Sequence, residues 1–232
     1  MLEIDQLHVG YYKDLNILQG VSLKARDGQI TAVLGSNGVG KSTLLKSIFG
    51  FIKPNKGEVR LEGENIAGTP SHKMVDLGVA YIPQHQSVFQ YMSVEDNIEL
   101  GAWSFRGDSQ RIRQKMEANY ERFPILKQRR KSPAGELSGG MQRMVELART
   151  LMTDPKVILV DEPTAGLAKM LAQDVYKLLV RLKEEGITIL LVDQNIRQAI
   201  KIADYVYVLE LGRNRHEGPR DSFEDLKKAL WL

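Results

Sequence analysis

Cysteine is missing from this 232-residue chain altogether, which removes disulfides, thiolate metal sites and cysteine nucleophiles from consideration. Histidine is sparse. His8, His72, His85 and His216 stand far apart, without the close pair that a zinc-binding helix carries. Long hydrophobic runs are also missing: Ile189–Val192, with Ile187 just before it, falls far short of the roughly 20 apolar residues that span a bilayer. The N-terminus, MLEIDQLHVG, has no basic flank leading into an apolar stretch and does not read as a signal peptide. Neither sign of charge dominates. The net charge of +3 is too mild for a nucleic-acid wrapper or an acidic-substrate trap. A soluble, cytoplasmic chain is expected, and any membrane role requires other chains to do the spanning.

What is present is ordinary for a globular α/β protein: 43% hydrophobic and 26% charged residues. Leu2, Ile4, Leu7 and Val9 read as a half-buried strand, followed by a second through Val21–Leu23. Together they predict an antiparallel N-terminal β subdomain. Ile30–Leu34, Val157–Val160 and Ile187–Val192 are short apolar runs of the kind that form buried parallel strands. Between Ser93 and Thr153 the pattern turns helical, opening on a capping box at Ser93-Val-Glu-Asp96. The expectation is one domain over 1–232, with a mainly parallel core from 1–84 and 154–232 and a helical insert over approximately 85–153.

Gly35-Ser36-Asn37-Gly38-Val39-Gly40-Lys41-Ser42 follows an apolar strand and opens a helix. That is the context a phosphate-binding loop requires. Its glycines let backbone N–H groups turn toward phosphate oxygens, and the helix N-terminus adds partial positive charge. Lys41 is placed to reach the β- and γ-phosphates, Ser42 to ligate Mg²⁺, and Thr43 to donate to the α-phosphate. Downstream, Val157–Val160 runs into Asp161 and Glu162. Two acids at the carboxyl end of a buried strand suit a magnesium carboxylate, Asp161, beside a residue that orients or polarises water, Glu162.

Leu137-Ser138-Gly139-Gly140-Met141 opens a helix about twenty residues before Asp161, and glycines there expose N–H groups to an anion. With the phosphate loop before it and Ile158-Leu-Val-Asp-Glu-Pro163 after it, the pentad closely resembles the signature of ATP-binding cassette (ABC) ATPases, over essentially the whole chain. The resemblance implies a P-loop NTPase fold, ATP and Mg²⁺ as ligands, and a head-to-tail pair in which Ser138, Gly139 and Gly140 face the nucleotide held by the partner. It also implies an adenine-stacking aromatic at Tyr11 or Tyr12, with Tyr12 favoured, and assigns Gln84 to the metal and the attacking water. Gln194 stands where most members have a switch histidine, and Ala168 where most have aspartate. Both departures are similar to the ATP-binding subunits of branched-chain amino acid importers, although Asp193, Lys169, Gln84 and Met141 differ from that branch.

The resulting expectation is an ATP-hydrolysing importer subunit on the inner face of the cell membrane. Its partners are integral-membrane permeases, a second ATPase in a homo- or heterodimer and, indirectly, a solute-binding protein. Val88, Phe89, Tyr91 and Met92 are the expected docking residues. Amino acids, most of all branched-chain ones, are the expected cargo, with urea or amides as alternatives. A different class, an ABC-type ATPase acting on nucleic acid or ribosomes, has only the basic run Lys127–Lys131 in its favour, and no nucleic acid is expected. A small-molecule kinase has no use for Leu137–Met141.

Overall fold

Fully buried strands and helices with one apolar stripe alternate through the computed structural model, which describes residues 1–11, 15–85 and 87–223. In chain order they run β1 (Leu2–Val9), β2 (Leu18–Ala25), β3 (Ile30–Leu34), α1 (Lys41–Ile48), β4 (Lys56–Leu61), β5 (Glu64–Asn65), α2 (Ser71–Met74), β6 (Val79–Ile82), α3 (Val94–Glu99), α4 (Ser109–Arg122), α5 (Pro124–Gln128), α6 (Gly139–Leu151), β7 (Val157–Asp161), α7 (Lys169–Glu184), β8 (Thr188–Val192), α8 (Ile196–Ile202), β9 (Tyr205–Glu210) and β10 (Arg213–Pro219). The chain divides into two compact units, Met1–Tyr81 with Lys156–Glu162 and Leu178–Leu232, and Ile82–Pro155 with Pro163–Lys177.

In the first unit, a six-stranded sheet of order β10-β9-β3-β8-β7-β6 accompanies a four-stranded sheet of order β2-β1-β4-β5. The pairs β3–β8, β3–β9 and β7–β8 are parallel, whereas β10 returns antiparallel to β9. Every residue of β3, β7 and β8 is buried, as strands covered on both faces must be. Period-two alternation sorts them: Val33, Val157, Leu159, Leu190, Val192 and Leu209 join Leu44, Leu45 and Ile48 of α1 and the apolar face of β1 and β2 in one core. In β1 the buried positions change phase between Ile4 and Leu7. An odd spacing needs an extra residue, and the register breaks there, with Gln6 at φ 45° and its N–H donating to Ser22 Oγ at 2.9 Å.

The second unit is helical. Ser93 caps α3 by accepting from the Asp96 N–H at 3.0 Å, as the capping box predicts. Asn97, fully buried, accepts from the Phe89 N–H and donates to the carbonyls of Phe89, Met92 and Ser93. One amide thus organises the loop before the helix. Residues 163–177, which the sequence boundaries left with the core, group with the helices. A Cβ on Gly140 of α6 would lie 2.9 Å from Leu171, and Thr164 and Tyr176 share a 3.0 Å hydroxyl pair.

Tyr120 of α4 is buried, and its hydroxyl has no hydrogen-bond partner among the described residues. Burial, with Glu95 adding repulsion, pushes the phenol up to about 12. The folded state keeps this proton where the unfolded chain, titrating near ~10, has lost it. Stability is therefore full below pH ~10 and falls as pH rises toward the folded value. Tyr120→Phe is expected to hold or gain up to about 1 kcal/mol at pH 7 and to flatten the alkaline decline. Denaturant melts at pH 7 and in the alkaline range check both.

Candidate functional site

Between β3 and α1 the chain turns through Gly35–Gly40, and two of its glycines are required by geometry. Gly40 precedes α1 at φ 104°, where an added Cβ would come 2.5 Å from Leu18 Cδ2. At Gly35 the same atom would come 2.5 Å from the Leu209 carbonyl oxygen. Lys41 folds back over this loop. Its ammonium donates to the carbonyls of Gly35 and Ser36 at 3.0 and 3.1 Å and lies 3.8 Å from Glu162 Oε1. The lysine is only 4% exposed, so its charge is delivered at one place.

The carboxyl end of β7 brings the acids to that place. Ser42 Oγ, on the first turn of α1, donates to Asp161 Oδ1 at 2.8 Å, and Tyr81 Oη donates to Oδ2 at 3.0 Å. The Tyr81 hydroxyl is pushed above its ordinary range by burial first and by the Asp161 charge second, so it is a proton donor at neutral pH. Glu162 takes a left-handed conformation, φ 42°, and its N–H donates to the Val192 carbonyl at 2.8 Å. Such a conformation costs a non-glycine residue roughly 1–2 kcal/mol and turns the chain sharply as it leaves the strand. Beyond β8, Asp193 Oδ1 accepts from the Asn195 N–H at 2.8 Å, and Asn195 caps α8. Gln194, between them, lines a cavity of about 620 Å³ together with Gly35, Ser36 and Asn37.

One ammonium, a glycine-rich loop at the start of a helix, a hydroxyl and a carboxylate suit a polyphosphate with a hard cation. Ser42 and Asp161 offer only oxygen, the donor type Mg²⁺ selects. Among the described residues no group of three or more His, Cys, Asp or Glu is gathered to hold a metal unaided. This donor set therefore suits an ion that shares phosphate and water oxygens.

Of the residues singled out in the sequence, Gly35 through Thr43, Asp161, Glu162 and Gln194 belong to the first unit, and Gln84, Ser138, Gly139 and Gly140 to the second. Tyr12 lies outside the described residues. Ser138 caps α6, accepting from the Met141 N–H at 3.4 Å. One turn on, Arg143 donates to the carbonyls of Pro83 and Gln84, both at 2.8 Å, and to Glu146 at 2.7 Å. Glu146 also accepts from the Ser87 N–H, and Arg149 donates to the Ser87 carbonyl at 3.0 Å and hydroxyl at 2.6 Å. Burial pulls both guanidiniums below their usual range, with the Glu146 charge opposing. Sequence reading missed this clamp and Tyr81. An Arg-x-x-Glu spacing flanked by apolar residues was the available signal for the former.

Residues 18–165 match the family model described as ABC transporter. The chain is 39% identical over 213 residues to the high-affinity branched-chain amino acid transport ATP-binding protein BraG of Pseudomonas aeruginosa, covering 92% of this chain and 90% of that protein. It is 32% identical over 217 residues to the lipopolysaccharide export system ATP-binding protein LptB of Escherichia coli, covering 92% and 89%. Its fold matches a nucleotide-free ATP-binding cassette from an ABC transporter with a TM-score of 0.87 and 29% identity, over 100% of this chain and 95% of the other. No helix among the described residues is long and apolar enough to cross a membrane.

Because Arg143 and Glu146 are each about 1% exposed, removing one partner strands the other charge in the interior. Arg143→Met is expected to cost about 3–5 kcal/mol in denaturant unfolding, and adding Glu146→Leu to return part of that loss.

Proposed function

This chain belongs to the ABC transporter family, whose members hydrolyse ATP, and we propose that it powers amino-acid import, branched-chain amino acids first among the cargoes. That it is the ATPase subunit of a transporter follows from family and fold. The direction and cargo are supported by the higher identity to BraG than to the export protein LptB and by Gln194 and Ala168, which resemble the importer branch. The observation that carries the catalytic reading is the convergence of Lys41, Ser42, Asp161 and Glu162 through contacts of 2.8 to 3.8 Å.

In this reading the N–H groups of Gly35 through Gly40 and the Lys41 ammonium hold the β- and γ-phosphates, and Thr43 holds the α-phosphate. Ser42 and Asp161 would hold Mg²⁺, and Gln84 takes the role toward the metal and the attacking water that the family resemblance gives it. The ion, when bound, would neutralise charge on the phosphate oxygens. Glu162 accepts the proton of the water whose oxygen bonds to the γ-phosphorus while the bond to the bridging oxygen breaks. Gln194 donates its amide N–H to the γ-phosphate, a contact that carries no charge change near neutral pH. Ser138, Gly139 and Gly140 close the site from a second copy or a related ATPase, in a head-to-tail pair. Tyr12 stacks on adenine.

The surface supports the reading of the partners. Phe89 is 53% and Tyr91 99% exposed, which supports the docking of integral-membrane permeases there, with the chain peripheral on the cytoplasmic face and a solute-binding protein engaged indirectly.

Glu162→Gln is expected to lower ATP turnover by about 10²–10⁴-fold while ATP binding persists, measured as phosphate release against nucleotide affinity. Turnover close to wild type removes Glu162 from the proton-transfer role. Recovery of the chain from gently solubilised native membranes, followed by mass spectrometry, is expected to bring multi-span permeases and solute-binding proteins for amino acids. Companions of a lipopolysaccharide exporter, or ribosomes and DNA-bound proteins, overturn the import reading and leave the ATPase.

A further inference from the structure

Asp161 has each of its two oxygens engaged by a hydroxyl from a different element, Ser42 on α1 at 2.8 Å and Tyr81 on β6 at 3.0 Å. The phosphate-loop pattern accounts for the serine alone. The Tyr81 ring is itself braced: it stacks on Phe49 with centroids 5.5 Å apart and planes at 27°, and meets Phe51 edge-on at 5.5 Å and 82°. Phe49 is the C-cap of α1, so the helix that carries Ser42 at one end supports the ring at the other. Asp161 is 2% exposed, with little water to compensate a carboxylate that rotates away from its donors. Each hydroxyl spends its hydrogen on one oxygen and leaves that oxygen's other lone pair free for a cation or its water. Donors to a ligating carboxylate fix its orientation and tune its hold on the metal.

We propose that Tyr81 is a positioning residue for the magnesium site, its hydroxyl holding Asp161 in the orientation that receives Mg²⁺ with the nucleotide, and the Phe49–Phe51 pair holding the hydroxyl. The proposal rests on the reading of Asp161 as the magnesium acid. Tyr81 acts through that carboxylate.

Tyr81→Phe removes the hydroxyl and keeps the ring. With the intact chain, binding of a fluorescent ATP analogue is titrated with Mg²⁺ from EDTA upward, and thermal melting is followed in parallel. The variant is expected to raise the half-saturating Mg²⁺ concentration by about 10–100-fold, with metal-free analogue binding and Tm matching wild type. Phe51→Leu, which loosens the brace at a half-exposed position, is expected to shift the midpoint in the same direction by less. A lower Tm and weaker metal-free binding at an unchanged Mg²⁺ midpoint would make the tyrosine structural and overturn the proposal. Asp161→Asn and the double variant separate the remaining cases. An Asp161→Asn midpoint equal to wild type sinks the reading of Asp161 and the proposal with it. A shift in Asp161→Asn without one in Tyr81→Phe sinks the positioning role alone. A Tyr81→Phe shift that persists undiminished in the Asp161→Asn background places the action of the hydroxyl elsewhere and also overturns it.

Discussion

Val192 is the ruler against which the candidate site is set. In the parallel ladders it is the register partner of Val33 on one side and of Asp161 on the other, and its carbonyl accepts the Glu162 N–H. The loop leaving β3 and the acids ending β7 are thereby held at one level across β8. Parallel strands present their carboxyl ends on one side, and a slip of one residue would carry every side chain of a strand to the opposite face. The pairing of these short, fully buried strands is therefore what aligns groups 119 residues apart in sequence, as the Ser42–Asp161 contact requires.

The two buried charge systems are built differently. In the helical unit, the charges of Arg143 and Glu146 are answered at hydrogen-bond distance, and the arginine is further tied to main-chain carbonyls. Such an arrangement is costly to break and adds rigidity to the segment it grips. In the first unit, Lys41 stands 3.8 Å from the nearest Glu162 oxygen, and its hydrogens go to neutral carbonyls. Neutral acceptors are weaker than anionic ones. The ammonium is kept in place by acceptors that a stronger, anionic ligand can displace.

The turn from β3 into α1 and the acids at the end of β7 were legible as local structure, because each is written in contiguous residues. So was the cap at Ser93. Val21–Leu23 proved to be the centre of a strand reaching from Leu18 to Ala25, whose outer residues owe their conformation to pairing with β1. β10, RNRHEGP, has almost no buried residue and exists through its antiparallel ladder to β9. No local pattern marks such a strand. In α6 the apolar spacing gave the helix, but Gln142, Arg143 and Glu146 are buried beside Val145 and Ala148 while Met144 is only half-buried. Polar residues enter an interior when distant carbonyls and N–H groups receive them, and those partners are invisible from the helix alone. Tyr81 was hidden for a related reason: its position in an apolar strand explains the ring and is silent about the hydroxyl.

The left-handed backbone at Glu162 makes this position selective about its own replacements. Glycine, asparagine and aspartate adopt that conformation with least resistance, while valine, isoleucine and threonine are refused by their branched Cβ. A diverging copy of this subunit therefore has a narrow set of exits from the glutamate that leave the strand end intact. Aspartate keeps the turn and the charge but ends one methylene shorter. Asparagine keeps the turn and loses the carboxylate. With Glu162 as the proposed base, a related copy carrying either residue would differ in turnover while the turn at the end of its strand stayed the same.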